Sequence, residues 1–471
     1  MTTDNTKQTA PTTKQPVKKT ANSQSTTTEK KAPTVQVSQN SGSKKPIRAV
    51  IVAGVRTPFV RAFGPFMKMD TIALGDLAVS ALLKQTGLPK KEVESIVWGG
   101  VVLPFGAPNL AREIALDLKF PEYTEGMTVT RACASGLQAL TLAAAAIERG
   151  EADIVIAGGS DSTSNAEIRL PQKLVHALAP FAFGKGKPSD ILSVLPQLLP
   201  FRDILPSKPE IAERTTGQVM GESAEEMAQR NQISRESQDE FALRSHHRAA
   251  AAIASGRFDR EVTPVQTEDG NWIHADGLVR GDTSLEKLSK LKPVFAKNGT
   301  LTAGNSSPLT DGAAAVLLMS EEKARAMGFK PLACFRSWAY SGVDPSDQLL
   351  IGPAISIPKS LDRAGLALKD MDLVDIHEAF AAQVLSVLKM MASDGFAKVK
   401  LGKSKATGEV DIDRLNVHGG SIAIGHPFGA TGARMVTTLA HELHERDKQF
   451  AVLGICAAGG LGGSAVLERV E

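Results

Sequence analysis

The sequence predicts an α/β fold with a mainly parallel sheet, in which one α/β half is followed by a second, similar half. Strands and helices alternate along residues 47–158, which is typical of layered α/β domains with parallel strands. A helix at 429–445 and a strand at 450–456 repeat the order of a helix at 135–149 and a strand at 153–158. This repetition indicates a degenerate internal duplication.

Each element follows from an apolar run or from a helical spacing of apolar residues. In the first half, the predicted strands span residues 47–55, 96–102, 126–130 and 153–158, and the predicted helices span 72–83, 110–118 and 135–149. In the second half, the predicted strands span 374–376, 450–456 and 464–468, and the predicted helices span 379–391 and 429–445.

Residues 166–216 differ from both halves, because they contain seven prolines among scattered leucines and isoleucines. The segment is too apolar for a linker and too broken for long helices, so we expect short helices. A capping box at Ser223–Glu226 and a long helix over 234–253 are predicted to follow. The predicted domains are a disordered basic tail at 1–46, an N-terminal half at 47–164 that residues 301–321 complete, an inserted loop domain at 165–300 and a C-terminal half at 322–471.

The positive charge of the chain is concentrated in its first 46 residues. Eight lysines and two acidic residues give that segment a charge of +6, which leaves −3 for the rest of a chain with net charge +3. The segment has no arginine, aromatic residue or apolar core, so it predicts neither a secretory signal nor a mitochondrial presequence. Elsewhere basic and acidic residues are interleaved, which argues against a nucleic-acid partner. No stretch approaches the roughly 20 apolar residues of a membrane span, and we expect a cytoplasmic protein.

Three cysteines are too few for a disulfide framework and indicate a reducing compartment. Cys133 lies directly after a predicted strand and directly before a predicted helix, where backbone N–H groups and the helix dipole are expected to lower its pKa. It is either a nucleophile or a small buried apolar residue. Cys456 ends an apolar strand before a glycine-rich turn. It is either a proton donor and acceptor or a buried strand residue.

Among nine histidines, His426 has the setting that best suits a general base. It lies between a glycine and a proline in a glycine-rich loop that opens the helix at 429–445, where a ligand has room to approach. His246 and His247 are neighbours on a helix and point apart, which argues against a shared metal site. No metal site and no permanently bound cofactor is predicted.

Four short segments together resemble the catalytic loops of thiolases and occur in the thiolase order. They are Cys133-Ala-Ser135, His377-Glu378-Ala379-Phe380, Gly425-His426-Pro427 and Cys456-Ala-Ala458, and a fifth match is Asn305-Ser-Ser-Pro-Leu-Thr-Asp311-Gly-Ala-Ala. The resemblance extends from about Ile47 to the C-terminus. It implies the thiolase fold, with duplicated α/β/α/β/α layers and two mixed sheets, plus the inserted loop domain.

The resemblance also implies catalytic roles. Cys133 would attack the 3-keto carbonyl of a 3-ketoacyl-CoA after His426 takes its proton. Cys456 would protonate the acetyl-CoA enolate and later accept the thiol proton of the incoming coenzyme A. His426 and a water held by His377 would stabilise the enolate oxygen, and the backbone N–H groups of Cys133 and Ala458 would form a second oxyanion hole.

Two positions depart from the common thiolase pattern. His377 stands where thiolases commonly carry asparagine, and this form resembles the thiolase (beta) subunit of the trifunctional complex of fatty-acid beta-oxidation. Ala458 replaces a glycine, which would weaken the second hole if the backbone φ there were positive. By family position, Ser307 would contact the pantetheine of coenzyme A, the co-substrate.

The function that this resemblance implies is degradative: an acetyl-CoA C-acyltransferase that cleaves 3-ketoacyl-CoA with coenzyme A. The implied partners are acyl-CoA, a second copy of the chain and an enoyl-CoA hydratase/3-hydroxyacyl-CoA dehydrogenase subunit. Residues 166–216 would shape a long acyl tunnel, dock that subunit or lie against a membrane, unless they only pack on their own domain. A biosynthetic acetoacetyl-CoA thiolase and a non-catalytic lipid-binding relative are the alternative functions.

Overall fold

The computed structural model describes residues 46–168, 170–187, 189, 195–200, 205 and 212–471. The predicted disorder of the tail at 1–46 therefore lies outside the described residues, apart from Pro46. The described strands, in chain order, are β1 (Ala49–Arg56), β2 (Val60–Arg61), β3 (Ser95–Gly99), β4 (Glu125–Val129), β5 (Ile154–Ser162), β6 (Val265–Gln266), β7 (Trp272–Ile273), β8 (Thr310–Ser320), β9 (Ala333–Gly342), β10 (Leu373–Ile376), β11 (Phe450–Ala457) and β12 (Leu461–Arg469).

The helices range from three to twenty residues in length. In chain order they are α1 (Thr71–Thr86), α2 (Leu110–Asp117), α3 (Ser135–Glu148), α4 (Gln172–Ala182), α5 (Met220–Arg230), α6 (Arg235–Ala254), α7 (Leu285–Ser289), α8 (Glu321–Ala326), α9 (Pro345–Gln348), α10 (Pro353–Ala364), α11 (Ala381–Met391), α12 (Asp394–Phe396), α13 (Ser421–Ile424) and α14 (Phe428–Glu445). In the described part of the chain, no helix combines the length and the apolar character that a membrane crossing requires.

The sheet shows the duplication directly. Its strand order is β10-β11-β12-β9-β1-β8-β5-β3-β4, with β2 paired to β8. In the first half β3 and β5 are parallel, whereas β5 and β8, and likewise β8 and β1, are antiparallel. In the second half β10, β11, β12 and β9 repeat this pattern. The predicted α/β fold and its internal duplication are therefore confirmed.

The two halves share one continuous sheet because β1 also pairs with β9. This junction is short: Val50 lies opposite Cys334, and Ile51 lies opposite Ala333. The two mixed sheets implied by the sequence are thus joined at their common border.

The expectation of a mainly parallel sheet was wrong. Within the described strands, the parallel pairs are β3–β4, β3–β5 and β10–β11, and the other pairs of the large sheet are antiparallel. The reason is that β8 and β12, the last strand of each half, enter the middle of the sheet and run against their neighbours. β8 is buried along its whole length, so it forms part of the core and not an edge.

Helices α3 and α14 cross at the centre of the molecule with their backbones in contact. A Cβ atom added to Gly136 would lie 2.2 Å from the carbonyl oxygen of Gly429, and one added to Gly432 would lie 2.4 Å from the backbone nitrogen of Leu137. Only glycine allows such an approach. The loops that precede the two helices carry Cys133 and His426, so this crossing brings those loops to the same place.

Among the described residues, the region after the first half contains the short helix α4, as the sequence predicts. Helix α5 begins at Met220, and the Glu222 carboxylate accepts the N–H of Val219 at 3.0 Å. The capping box predicted at Ser223–Glu226 is therefore wrong, because the helix starts one turn earlier. The long helix was predicted correctly: Ser234 caps α6 by accepting the N–H of Ser237 at 3.1 Å.

Candidate active site

Cys133 lies in a tight turn between β4 and α3. The preceding residue, Ala132, has φ of 45°, a left-handed conformation that costs a residue with a side chain about 1–3 kcal/mol. Ser135 holds the turn closed, since its Oγ accepts the N–H of Arg131 at 2.7 Å and donates to the carbonyl of Ala132 at 2.6 Å. The turn places Cys133 two residues before the first residue of α3, where it keeps partial contact with solvent.

The Cys133 thiol is neutral in this arrangement. Burial of its sulfur raises its pKa to about 12, although the backbone N–H groups of Ala458 and of Cys133 itself hydrogen-bond to the sulfur and lower the pKa. The expected lowering of this pKa was therefore wrong, because the loss of solvation outweighs the nearby donors. A base must remove the proton when the thiol reacts.

His426 is fixed by hydroxyl groups on both sides of its chain segment. Its backbone N–H donates to Thr310 Oγ1 at 3.1 Å, and its Nδ1 lies 2.7 Å from Thr431 Oγ1. Its Nε2 is buried without a hydrogen-bond partner. Burial, with the nearby Arg434 charge, lowers the pKa of this imidazole to about 3, so the free ring is a neutral base.

His377 lies at the end of β10, beside His426. The two ring centroids are 4.1 Å apart. Its backbone N–H donates to the carbonyl of Gly454 at 2.8 Å, and its Nδ1 lies 3.0 Å from Ser421 Oγ. Its Nε2 is also buried and unpartnered. Burial, followed by the charges of His426 and Arg434, lowers its pKa well below the ordinary value.

The sulfur of Cys133 and one nitrogen from each of these imidazoles all lie within 4.8 Å of one another. Because both Nδ1 atoms have hydroxyl partners, the two unpartnered Nε2 atoms are those available to a ligand. The structure thus brings together three residues that lie in three different predicted loops.

Cys456 is fully buried in β11, opposite Gly462 of β12. Burial raises its pKa, and the charge of an ionised Cys133 would raise it further. Cys456 therefore holds its proton at rest, as a proton donor must.

The turn after β11 carries Ala458, whose N–H contacts the Cys133 sulfur. Ala458 does not have the positive φ that would conflict with its side chain, so the substitution of glycine by alanine leaves the donor in place. Ser307 is partly exposed, and its N–H donates to the carbonyl of Ala379 at 3.0 Å. This bond ties the segment around Ser307 to the loop that follows His377.

Comparisons with known proteins agree with this geometry. The family model described as "Thiolase, N-terminal domain" matches residues 49–322, and "Thiolase, C-terminal domain" matches residues 329–469. The chain belongs to the thiolase family.

Among curated relatives of this thiolase, a "3-ketoacyl-CoA thiolase" from Serratia proteamaculans is 46% identical and covers 89% of this chain and 97% of its own length. A protein of the same name from Photobacterium profundum is 44% identical over 91% of this chain and 99% of its own. A solved human mitochondrial 3-ketoacyl-CoA thiolase in complex with CoA is 34% identical, with a TM-score of 0.75, over 90% of this chain and 98% of that one. The predicted family and thiolase fold are confirmed.

Several buried polar residues support the thiolase site, and the sequence alone assigned them no role. Glu378 accepts hydrogen bonds from Ser245 Oγ at 2.7 Å, from Asn416 Nδ2 at 2.7 Å and from the N–H of Ile422 at 3.2 Å. Burial raises the pKa of this carboxyl, although these donors oppose the shift. The network fixes the start of the segment that carries Ser421, the partner of His377.

Asp161 holds the segment that follows His426 in place in a similar way. Its carboxylate accepts the N–H groups of Val101 at 2.9 Å, Val102 at 2.5 Å and Gly429 at 2.6 Å. It thereby anchors the first turn of α14 to β5 and to the loop after β3. The available signal was the acidic residue at the end of an otherwise apolar strand, which has no packing reason to lie there.

Proposed function

We propose that this chain is a degradative 3-ketoacyl-CoA thiolase, an acetyl-CoA C-acyltransferase of fatty-acid beta-oxidation. The observation that carries the proposal is the convergence of the Cys133 thiol with two neutral imidazoles whose Nε2 atoms have no hydrogen-bond partner, in a chain whose curated relatives have that name. Coenzyme A is the co-substrate.

The first half-reaction begins with transfer of the Cys133 proton to Nε2 of His426. The thiolate attacks the 3-keto carbon, and the bond between carbons 2 and 3 then breaks with its electron pair leaving on the acetyl-CoA enolate. The N–H groups of Cys133 and Ala458, which already contact the sulfur, are suited to hold the oxygen of the acyl group. Cys456 gives its proton to carbon 2 of the enolate and becomes a thiolate.

The second half-reaction restores the enzyme. Coenzyme A gives its thiol proton to Cys456 and attacks the acyl group on Cys133. The Cys133 thiolate leaves and recovers its proton from His426. The enolate oxygen that forms in the first half-reaction is stabilised by His426 and by a water held on His377, and in both half-reactions Ser307 contacts the pantetheine.

A matched set of cysteine variants tests these roles. Cys133→Ser is expected to abolish thiolysis of 3-ketoacyl-CoA, measured as acetyl-CoA formed by the purified protein. Cys334→Ser is the control, because Cys334 is buried in β9, outside the site, and it should retain turnover if it folds. Thermal unfolding and circular dichroism establish that both variants fold. Turnover by folded Cys133→Ser would refute the mechanism.

A biosynthetic acetoacetyl-CoA thiolase is the second candidate. A solved acetyl-CoA acetyltransferase from Bacillus anthracis is 33% identical, with a TM-score of 0.75, and covers 90% of this chain and 99% of its own. Rates of cleavage of 3-ketoacyl-CoA with four and with sixteen carbons separate the two functions. The degradative assignment requires that the sixteen-carbon substrate be cleaved efficiently.

Apolar side chains near α4 are solvent-exposed, including Ile168 (68%), Leu178 (44%) and Phe183 (78%), and exposed apolar groups of this kind mark interaction sites. We propose that they dock a hydratase–dehydrogenase subunit. Phe183→Glu should weaken co-elution with such a subunit in gel filtration; binding to anionic vesicles in place of the subunit would assign the surface to a membrane instead.

We also propose a cytoplasmic homodimer. Strand β4 lies at the end of the sheet, its side chains are largely accessible, and Met127 is 45% exposed. An open edge of this kind readily pairs with a second copy. Light scattering should give the mass of a dimer, and Met127→Lys should shift it towards the monomer. Met67→Lys, at another exposed methionine, should not.

A further inference from the structure

The three groups that meet at the catalytic centre are also ligands for a soft divalent cation. Among the described residues, Cys133, His377 and His426 form the one group of three or more potential metal-ligating side chains whose ligand atoms all lie within 4.8 Å of one another. A thiolate and two imidazoles are the donors that Zn²⁺ prefers, at about 2.0–2.3 Å and in tetrahedral geometry. The reaction proposed above uses no metal.

A second observation points to a ligand at the same position. Nε2 of His377 and Nε2 of His426 are buried and lack a hydrogen-bond partner, although the two residues are only 0% and 5% exposed. Buried polar atoms are normally paired. Each Nε2 can therefore accept a ligand: in the proposed reaction these atoms take the Cys133 proton and hold a water, and in the free enzyme they can bind a metal ion.

The surroundings of the imidazoles match those of metal-binding histidines. Metal-ligating histidines usually donate their second ring nitrogen to an oxygen that fixes the ring. Here Nδ1 of His377 lies 3.0 Å from Ser421 Oγ, and Nδ1 of His426 lies 2.7 Å from Thr431 Oγ1. When each Nδ1–H donates to its hydroxyl, the lone pair of each Nε2 faces the site.

We propose that this chain binds one Zn²⁺ ion between Cys133, His377 and His426, and that the ion inhibits the enzyme reversibly. The Cys133 S–H proton is released to solvent as the sulfur binds the metal, and a water completes the tetrahedron. The ligand atoms must close from within 4.8 Å to the roughly 3.3–3.8 Å that the metal–ligand distances require. Cys133 lies in the turn before α3, and this turn is where the adjustment is expected.

Position 377 controls the site. Asparagine at this position can hold a water, as histidine can, but its side chain replaces an imidazole donor by an amide, which is a poor ligand for Zn²⁺. The metal sensitivity should therefore depend on histidine at position 377. The inference rests on the proposed function only for its inhibition readout, because metal binding is measurable without turnover.

Calorimetric titration of the purified chain with ZnCl₂, without thiol reductant or chelator, tests the binding. We expect one ion per chain, and Cys133→Ala and His377→Asn should each weaken it at least tenfold. Cys334→Ala and His247→Asn are the matched controls and should bind as the unchanged chain does. With Co²⁺, the visible bands of a tetrahedral thiolate complex should appear and should be lost in Cys133→Ala.

Inhibition is tested separately on thiolysis, which Zn²⁺ should suppress and a chelator should restore. One-to-one binding that requires Cys133 and His377 in a chain without thiolase activity would uphold the metal site and refute the proposed function. An active chain that binds no Zn²⁺, or binds it equally well as Cys133→Ala, would refute the metal site and leave the function standing. Thermal unfolding of each variant identifies any that fail to fold, and in that case Cys133→Ser and His377→Gln replace them.

Discussion

The hydroxyl of Thr431 should control how well His426 accepts the proton of Cys133. Thr431 is fully buried, and its Oγ1 lies 2.7 Å from Nδ1 of His426. Thr431→Val keeps the shape of the side chain and removes this bond. Neither ring nitrogen of His426 then has a partner, since Nε2 has none in the free protein.

The loss is greatest when His426 carries the proton of Cys133, because the imidazolium then has a buried N–H without an acceptor. A hydrogen bond to a charged group contributes about 1.5–3 kcal/mol, which corresponds to a roughly 10- to 150-fold decrease in kcat. The rate of alkylation of Cys133 by iodoacetamide should fall with it, and KM should change little. Thr431→Ser keeps a hydroxyl and should recover part of the rate.

Thr437→Val on the same helix is the control. Thr437 is 2% exposed, and its Oγ1 is buried without a partner, so removal of that hydroxyl breaks no hydrogen bond. A kcat of Thr431→Val within twofold of the unchanged enzyme would refute the role of the hydroxyl. An equal loss in Thr437→Val would show that the effect comes from the packing of α14.

Three further predictions concern packing and protonation. Gly136→Ala should lower the free energy of unfolding, measured in urea, by about 1–3 kcal/mol, because its Cβ would lie 2.2 Å from the carbonyl oxygen of Gly429. The control Gly106→Ala meets open space and should have little effect, and equal effects of the two variants would contradict the close crossing of α3 and α14. Since the pKa of His426 is lowered to about 3, kcat/KM should show no ionisation near the ordinary histidine pKa of about 6.5, and an inflection there would contradict a neutral resting base. Burial raises the pKa of Asp161 to about 6, so the folded state binds more protons than the unfolded state between about pH 4 and 6. In that range the free energy of unfolding should fall with rising pH by up to about 1.4 kcal/mol per pH unit. Asp161→Asn should remove this slope, and an unchanged slope would assign it to another group.

The sequence predicted the elements whose apolar pattern is decisive. Helix α3 was predicted at 135–149 and lies at Ser135–Glu148, and α14 was predicted at 429–445 and lies at Phe428–Glu445. Strand β8 was not predicted, although it is central. Its start, Thr310-Asp-Gly-Ala-Ala-Ala, has the composition of a turn and then of a helix, and burial on both faces overrides that propensity. The domain boundaries stay predictions.

The sequence allowed the site residues to be predicted, but not the residues that hold them in place. Cys133, His377 and His426 stand in short motifs, so the resemblance found them, and the structure brings them together. The partners of the two imidazoles, Ser421 and Thr431, lie in helices α13 and α14 and have no sequence pattern of their own. The pKa of Cys133 was predicted in the wrong direction, because sequence shows the helix start but not the burial of the sulfur.

The covalent intermediate tests the central claim most directly. The enzyme is mixed with 3-ketohexadecanoyl-CoA in the absence of free coenzyme A, quenched with acid, digested and analysed by mass spectrometry. The proposed mechanism predicts a tetradecanoyl group on the peptide that contains Cys133, and its disappearance when coenzyme A is added before the quench. An acyl group on Cys456 or Cys334, or acetyl-CoA formation without any acylated Cys133, would contradict it.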